Sequence, residues 1–206
     1  MITAFYSRLA IILILFTICT TAAKAQCPSP PPPPTNIPWN GSYVKHVILG
    51  YGCEVDVSYC ERQVGAVMEY LITSVELTTA SCTNWQQAIS LLPLYFLGLN
   101  GPCDLYPPCE LWEPYIREVV YEATCWKIVN QNPNPTQEPR LVAVPCEESG
   151  YCKSIYEKCC DNLGHWGISK VASVNVIPGS CSTEFPEGSY LLNECYIMIP
   201  PCDIEQ

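Results

Sequence analysis

The stretch SYVKHVILGYGCEVDVSYC, residues 42–60, carries the strongest fold signal in this chain. Its first part, Tyr43 to Leu49, is rich in β-branched and aromatic residues and ends at Gly50-Tyr51-Gly52, which is typical of a turn. Its second part alternates valine or tyrosine with polar residues, and Glu54 and Asp56 share the polar side. The stretch therefore predicts a β-hairpin whose second strand is half buried and has an acidic outer face.

A second stretch, PYIREVVYEATCWKIV at residues 114–129, repeats this pattern. Tyr43 to Cys53 aligns with Tyr115 to Cys125 without a gap, and cysteine landmarks then recur in the same order. These landmarks are Tyr59-Cys60 with Tyr151-Cys152, Ser81-Cys82 with Ser180-Cys181, and Pro107-Pro108-Cys109-Glu110 with Pro200-Pro201-Cys202-Asp203. The shared order predicts an internal duplication, in which the second stretch forms a second opening hairpin.

The fold class predicted from this repeat is mainly β to α+β. It consists of small disulfide-stapled β-rich units, two in tandem, with one short helix in the first. The predicted organisation is a signal peptide at 1–25, a proline-rich N-terminal spacer at 26–41, a first unit at 42–113 and a second unit at 114–206. The proline run favours an extended spacer, and Cys27 at its head is expected to tie it to the first unit.

The first 25 residues have the features of a secretory signal. Arg8 supplies a positive charge, Leu9 to Thr20 is a short apolar run, and Ala23-Lys24-Ala25 offers a cleavage site before Gln26. The apolar run is shorter than the roughly 20 residues that a permanent membrane helix needs. The sequence predicts a secreted or periplasmic protein, cleaved near Ala25-Gln26 and without a stable membrane anchor.

Removal of the signal leaves 14 of the 15 cysteines. A dense, even cysteine count in an exported chain predicts disulfides, whereas zinc sites usually present Cys-x2-Cys or paired histidines. The candidates for disulfide bonding are Cys27, Cys53, Cys60, Cys82, Cys103, Cys109, Cys125, Cys146, Cys152, Cys159, Cys160, Cys181, Cys195 and Cys202. The adjacent cysteines Cys159 and Cys160 leave two possibilities open, a strained bond to each other or separate bonds to distant partners.

Beyond the hairpin, the first unit predicts a third strand at Leu71 to Leu77 and a helix from Asn84 to Leu97. Asn84 is a suitable helix cap, and apolar residues from Trp85 onward fall at helical spacing. Leu91 to Leu97 is apolar on all sides and is therefore either fully buried or an interaction surface, and we expect burial.

In the second unit, Tyr115 to Glu122 fits a strand or a helix. We predict a strand because the aligned residues of the first unit contain two glycines. Trp126 to Val129 is a further strand, 130–140 is a loop, and Ile168 to Val176 corresponds to the third strand.

The composition limits the possible partners. The chain has 20 acidic and 10 basic residues, a formal net charge of −10. Nucleic acids and anionic membrane surfaces are also negative, so neither is expected to bind. No cofactor or metal motif is present, and the expected partner is an extracellular protein or a glycan. The sequence leaves the oligomeric state open.

Candidate catalytic residues are few. His46 and His165 are the two histidines, and both are interpreted as structural residues of a strand and a turn. Carboxylate chemistry needs two acidic groups about 5–10 Å apart. Glu110 and Asp203 occupy equivalent positions in the two units, and Glu147-Glu148 is a sequential pair, but the sequence does not place them in a cleft.

The signal peptide, the Tyr-Cys pairs, Thr124-Cys125-Trp126 and the helix leading to Asn100-Gly101-Pro102-Cys103 resemble uncharacterised cysteine-rich exported repeat proteins of Gram-negative bacteria. This resemblance implies export and repeats, and no activity. We therefore predict an exported, non-catalytic, disulfide-rich interaction or structural module. The alternatives are a small secreted carboxylate-dependent hydrolase and a redox protein that uses Cys159-Cys160.

Overall fold

The computed structural model describes residues 27, 36–49, 53–79, 84–98, 108–109, 116–132, 134, 136–147, 149–161, 163, 166–177, 181–186, 191–198 and 202. Within these residues the chain forms nine strands and one helix. The elements are β1 (Asn40–Ile48), β2 (Glu54–Val64), β3 (Val67–Leu77), α1 (Trp85–Leu97), β4 (Ile116–Ala123), β5 (Cys125–Asn130), β6 (Leu141–Pro145), β7 (Tyr151–Cys160), β8 (Trp166–Ile177) and β9 (Cys195–Ile197). The predicted disulfide-stapled, β-rich fold class is confirmed.

All nine strands belong to one sheet that divides at β3. Strands β1, β2 and β3 form an antiparallel meander. Beyond β3, residues Met68 to Leu71 pair in parallel with β4, whereas Val75 and Glu76 pair antiparallel with β6. One branch continues as β4-β7-β8 and the other as β6-β5-β9.

The opening hairpin and the third strand are both confirmed. β1 pairs with β2 in a regular register from Tyr43 to Ile48. Val55 and Val57 are fully buried, while Glu54 and Asp56 lie on the exposed side, as the alternation predicted. Gly65 has a φ of +62° in the tight turn between β2 and β3, a conformation that glycine adopts without steric strain.

Each face of the sheet buries its own apolar cluster. The face that packs against α1, here called the helix face, carries the larger core, which includes Val57, Ile72, Trp126 and Ile128. The opposite face, here called the outer face, carries a smaller cluster of Cys60, Leu71, Val119 and Tyr121. Residues that are adjacent in sequence, such as Leu71 and Ile72, are both buried because the sheet is covered on both sides at that point.

Helix α1 begins as predicted. The Asn84 side chain accepts a hydrogen bond from the Gln87 amide at 2.9 Å, which satisfies one of the free N–H groups of the first turn. The prediction that Leu91 to Leu97 is buried throughout is wrong in part, because Leu94 and Tyr95 are exposed. A helix lying on one face of a sheet buries only one side, and these two residues lie on the other.

In the second half of the chain, both strands predicted at 115–129 are confirmed, but the second hairpin is wrong. β4 pairs with β3 and β7, whereas β5 pairs with β6 and β9. The two strands are separated by Thr124 alone, where the chain bends from one branch to the other. The first unit has two glycines at the corresponding turn, and Glu122-Ala123-Thr124 has none, which explains why the chain cannot reverse here.

The remaining second-half predictions have mixed outcomes. The predicted loop at 130–140 is confirmed except at Asn130, which ends β5, because its other described residues are free of helix and strand. The third predicted strand is confirmed as well, since β8 covers it. Strands β6, β7 and β9 were not predicted from the sequence.

Five disulfides have both cysteines in the described residues. They join Cys27 to Cys60, Cys109 to Cys159, Cys125 to Cys181, Cys146 to Cys195 and Cys152 to Cys202. Cys53 and Cys160 are disulfide-bonded as well, so every cysteine that the structure describes is oxidised. This density of disulfides indicates an oxidising compartment, extracellular or periplasmic.

The disulfides also bear on how the parts of the chain are joined. The Cys27–Cys60 bond confirms that the spacer is tied to the first unit. The Cys109–Cys159 bond and the β3–β4 and β3–β6 pairings connect the ranges 42–113 and 114–206. The two ranges therefore share one sheet. The domain boundaries and the duplication stay predictions, and the signal region 1–25 lies outside the described residues. Within the described residues, no helix has the length and apolarity to span a membrane.

We expect the Cys27–Cys60 disulfide to stabilise the folded chain substantially. It closes a loop across a sequence separation of 33 residues, and a loop of that size corresponds to about 3–4 kcal/mol through restriction of the unfolded state. The double variant Cys27→Ala/Cys60→Ala should show this loss in urea denaturation under oxidising conditions. An unchanged free energy of unfolding would mean that the spacer contributes nothing to the fold.

Candidate interaction surface

Strand β1 forms one edge of the sheet. It pairs with β2 on one side, and along its other lateral edge it has no partner among the described strands. Val44 is 66 % exposed and Ile48 is 61 % exposed, and both project on the outer face. The register between Tyr43 and Ile48 contains no bulge that would twist this edge away. A regular edge with exposed β-branched side chains is a template for pairing with another strand.

The backbone groups of β1 that have no partner in the described part of the chain belong to the same residues as these side chains. The Leu49 amide donates to the Cys53 carbonyl at 2.8 Å, so Leu49 and the odd-numbered residues of β1 bond to β2. It follows from the alternation of an antiparallel ladder that the N–H and C=O groups of Val44, His46 and Ile48 point away from the sheet.

The two basic side chains of β1 are engaged within the chain. The Lys45 amino group donates to the carbonyl of Phe96 in α1 and lies 4.9 Å from the centre of its ring. Burial lowers the pKa of Lys45. His46 is exposed, as predicted, and its Nδ1 lies 2.8 Å from Asp56 Oδ1 while its Nε2 lies 3.6 Å from Glu54 Oε2. Lys45 is held against α1 and His46 against the carboxylates of β2, so neither side chain is directed toward an incoming strand.

Exposed apolar side chains of α1 lie close to this edge. Phe96, whose carbonyl holds Lys45, packs edge-on against Tyr59 at a centroid distance of 4.9 Å. Leu94 and Tyr95 are exposed in the same helical turn, on the helix face of the sheet. Val44 and Ile48 project on the opposite, outer face, and these two side chains are defined here as the β1 edge surface.

The other long edge of the sheet, β8, differs from β1 in ways that discourage pairing. Its register with β7 shifts twice, and it carries the exposed Lys170. Irregular register and edge lysines are common protections against edge-to-edge association. Val171 and Val174 of β8 are nevertheless about half exposed, which makes this edge a matched internal control for β1.

A buried ion pair lies on the outer face beside the second core cluster. Arg62 is 2 % exposed, and its Nε donates to Glu69 Oε2 at 2.7 Å across the turn between β2 and β3. The guanidinium lies 4.3 Å from the centre of the Trp39 ring. Glu69 also accepts a hydrogen bond from the Tyr121 hydroxyl at 3.4 Å, and burial raises the pKa of that hydroxyl to about 12. The cluster joins the spacer to three strands.

Strand β4 carries two further acidic side chains, which project on the helix face of the sheet. Glu118 forms a buried ion pair with Lys158 of β7 and accepts a hydrogen bond from the Tyr70 hydroxyl at 3.4 Å. Glu122, four residues along the same strand, is only 4 % exposed, and its Oε1 has no hydrogen-bond partner. Desolvation raises the pKa of Glu122 to about 8, with Lys170 opposing the shift. Sequence reasoning missed these acids, although their spacing with Val120 places all three on one face of a strand.

This geometry does not create a catalytic carboxylate pair. A hydrolase would need two carboxyl groups about 5–10 Å apart in an accessible cleft. Glu118 and Glu122 have backbone positions about 13 Å apart along the strand, and Glu118 is neutralised by Lys158. A shallow depression of about 470 Å³ is lined by Lys127 and Glu147, with no second carboxylate among its described lining residues.

The other predicted site residues have varied outcomes. Cys159 bonds to Cys109, and Cys160 has a separate disulfide, so the two do not bond to each other. Glu110, Glu148, His165 and Asp203 lie outside the described residues, as do Cys82 and Cys103. No group of three or more His, Cys, Asp or Glu side chains in the described part is arranged to hold a metal ion.

Comparison of the chain with protein-family models, with curated proteins and with solved structures finds no match. The resemblance to exported cysteine-rich proteins therefore stays a prediction, and any function must be argued from the molecule itself.

Glu122 should make the stability of the chain depend on pH. Its pKa is about 8 in the folded state and near 4.5 when exposed, so the folded state holds a proton that the unfolded state releases between these values. The free energy of unfolding therefore has its full value with respect to Glu122 below pH 4.5, where the acid is neutral in both states. It decreases as the pH rises from 4.5 to about 8, because the unfolded state is then favoured by ionisation of the acid. The isosteric Glu122→Gln variant should gain about 1.4 kcal/mol over the native chain per pH unit across this window.

Urea denaturation of both proteins at pH 5 and pH 8 measures this difference. Glu138→Gln, which changes an exposed acid in the loop after β5, is the control and should show no such gain. Equal pH dependence in the native chain and Glu122→Gln would show that Glu122 is ionised in the folded protein.

Loss of Arg62 should be far more damaging than loss of an exposed arginine in a similar pair. Arg62→Leu leaves the buried Glu69 carboxylate with Lys153, 3.8 Å away, as its nearest cation and with the hydrogen bond from Tyr121. The variant should cost about 3–5 kcal/mol. The matched control is Arg140→Leu, because Arg140 pairs with Glu76 at the surface and should change little. Comparable losses of unfolding free energy in the two variants would contradict a structural role for the buried pair.

Proposed function

We propose that this chain is an exported, non-catalytic interaction module that binds an extended protein segment along β1. The observation that supports the proposal is the edge of β1, which has no partner among the described strands and carries the exposed Val44 and Ile48. Main-chain hydrogen bonds supply affinity in such an arrangement, and alternate side chains supply specificity. The oxidised cysteines fit a molecule that works outside the cytosol after removal of residues 1–25.

Several features of the edge favour a protein segment as the partner over a glycan. The outward N–H and C=O groups of Val44, His46 and Ile48 match the spacing of another strand. Val44 and Ile48, on either side of His46 on the outer face, are aliphatic and offer no hydrogen-bonding groups to sugar hydroxyls. The disulfides hold the sheet rigid, so little ordering of the module itself is required on binding.

Selection of displayed random peptides on the immobilised, oxidised chain tests this proposal. Selected peptides should alternate β-branched and polar residues, and their affinity should fall about tenfold or more on Val44→Lys, because lysine places a charge in the pairing edge. The matched control is Val174→Lys on β8, which should leave affinity unchanged. Peptides that bind Val44→Lys as well as the native chain, or a selection without enrichment, would refute the β1 edge as a docking site.

A further inference from the structure

We infer that the segment that pairs with β1 is β1 of a second copy of this chain, in an antiparallel two-fold arrangement centred on His46. This inference rests on the proposed docking role of the β1 edge and adds the identity of its occupant. The resulting dimer continues the sheet from one copy into the other through β2-β1-β1-β2.

The positions of the exposed side chains fit a two-fold axis. Val44 and Ile48 lie two residues before and two residues after His46, and all three project on the same face. In an antiparallel pair centred on His46, Val44 of each copy therefore lies opposite Ile48 of the other copy. Because side chains alternate with a period of two, each residue keeps its face, and a Val44–Ile48 pair lies on each side of the central pair of His46 side chains.

The backbone fits the same register. The N–H and C=O groups of Val44, His46 and Ile48 are the outward ones, and these are the residues that the two-fold axis sets opposite one another. Such residues form the hydrogen-bonded pairs of an antiparallel ladder, so the arrangement yields about six interchain hydrogen bonds. A register centred on Lys45 would set two lysines opposite each other and Val44 opposite His46, which is less favourable.

The acidity of the chain does not prevent this association. Glu54 and Asp56, the carboxylates nearest to the interface, lie on β2 and contact their own His46. In the dimer the two β2 strands are three strand spacings apart, about 14 Å. That separation exceeds the Debye length of about 8 Å at physiological ionic strength, so their repulsion is largely screened.

Sedimentation equilibrium of the full mature, oxidised chain tests the dimer. The native protein should dimerise, Val44→Lys should raise the dissociation constant about tenfold or more, and Val174→Lys should leave it unchanged. A native chain that is monomeric at about 100 μM, or a dimer that tolerates Val44→Lys, overturns the inference. If displayed peptides still bind a monomeric chain at β1, the docking role stands and only the second copy is excluded.

Cross-linking tests the register independently of affinity. Residues that face each other across a hydrogen-bonded pair have Cα atoms about 5.5 Å apart, within the range of a disulfide. His46→Cys should therefore form a covalent dimer on oxidation, seen on a non-reducing gel. Val44→Cys is the control, because the two residues 44 are displaced by four positions, about 13 Å, and should not link. Cross-linking of Val44→Cys in preference to His46→Cys would overturn the register.

Discussion

The division of the sheet at β3 is the constraint on which the remaining architecture depends. β3 is the only strand in the described part of the chain with three neighbours, because β4 and β6 share its far edge. Two strands can share one edge only if they diverge, and the bend at Thr124 allows this. The Thr124 amide donates to Gly150 and its carbonyl accepts from Met198, so neighbouring segments hold the bend on both sides.

Buried charge and disulfides hold the branches together where apolar packing is limited. Arg62 and Glu69 join the meander to the spacer, and Glu118 and Lys158 join β4 to β7. Each disulfide restricts the unfolded chain, while each buried ion pair requires its partner to be in place. The pairs therefore specify which strands lie side by side. Glu122 lacks such a partner, and its proton takes the place of a counter-ion.

The sequence allowed the individual strands to be predicted better than their arrangement. Alternation located β2 correctly, and the cap at Asn84 located α1 correctly, because both signals are local. The repeat suggested two equivalent hairpins, yet β4 and β5 separate at Thr124. The missing glycines at 122–124 were the available signal for this difference. The pairing of β3 with β4 joins residues that are distant in sequence, and so does the contact of Arg62 with Trp39. Local sequence patterns do not encode such contacts. Exposure of β1 likewise depends on which strand lies at the edge.

The parallel contact between β3 and β4 has a consequence for how the chain reaches its native state. Strands β1, β2 and β3 are consecutive, so the meander can form early from local contacts. The partner of β3 follows roughly fifty residues later, and pairings at such separations form slowly. During export, the edge of β3 would therefore stay open until β4 arrives, in addition to the edge of β1, which has no partner among the described strands of one copy. In that interval the exposed edges can associate with other chains.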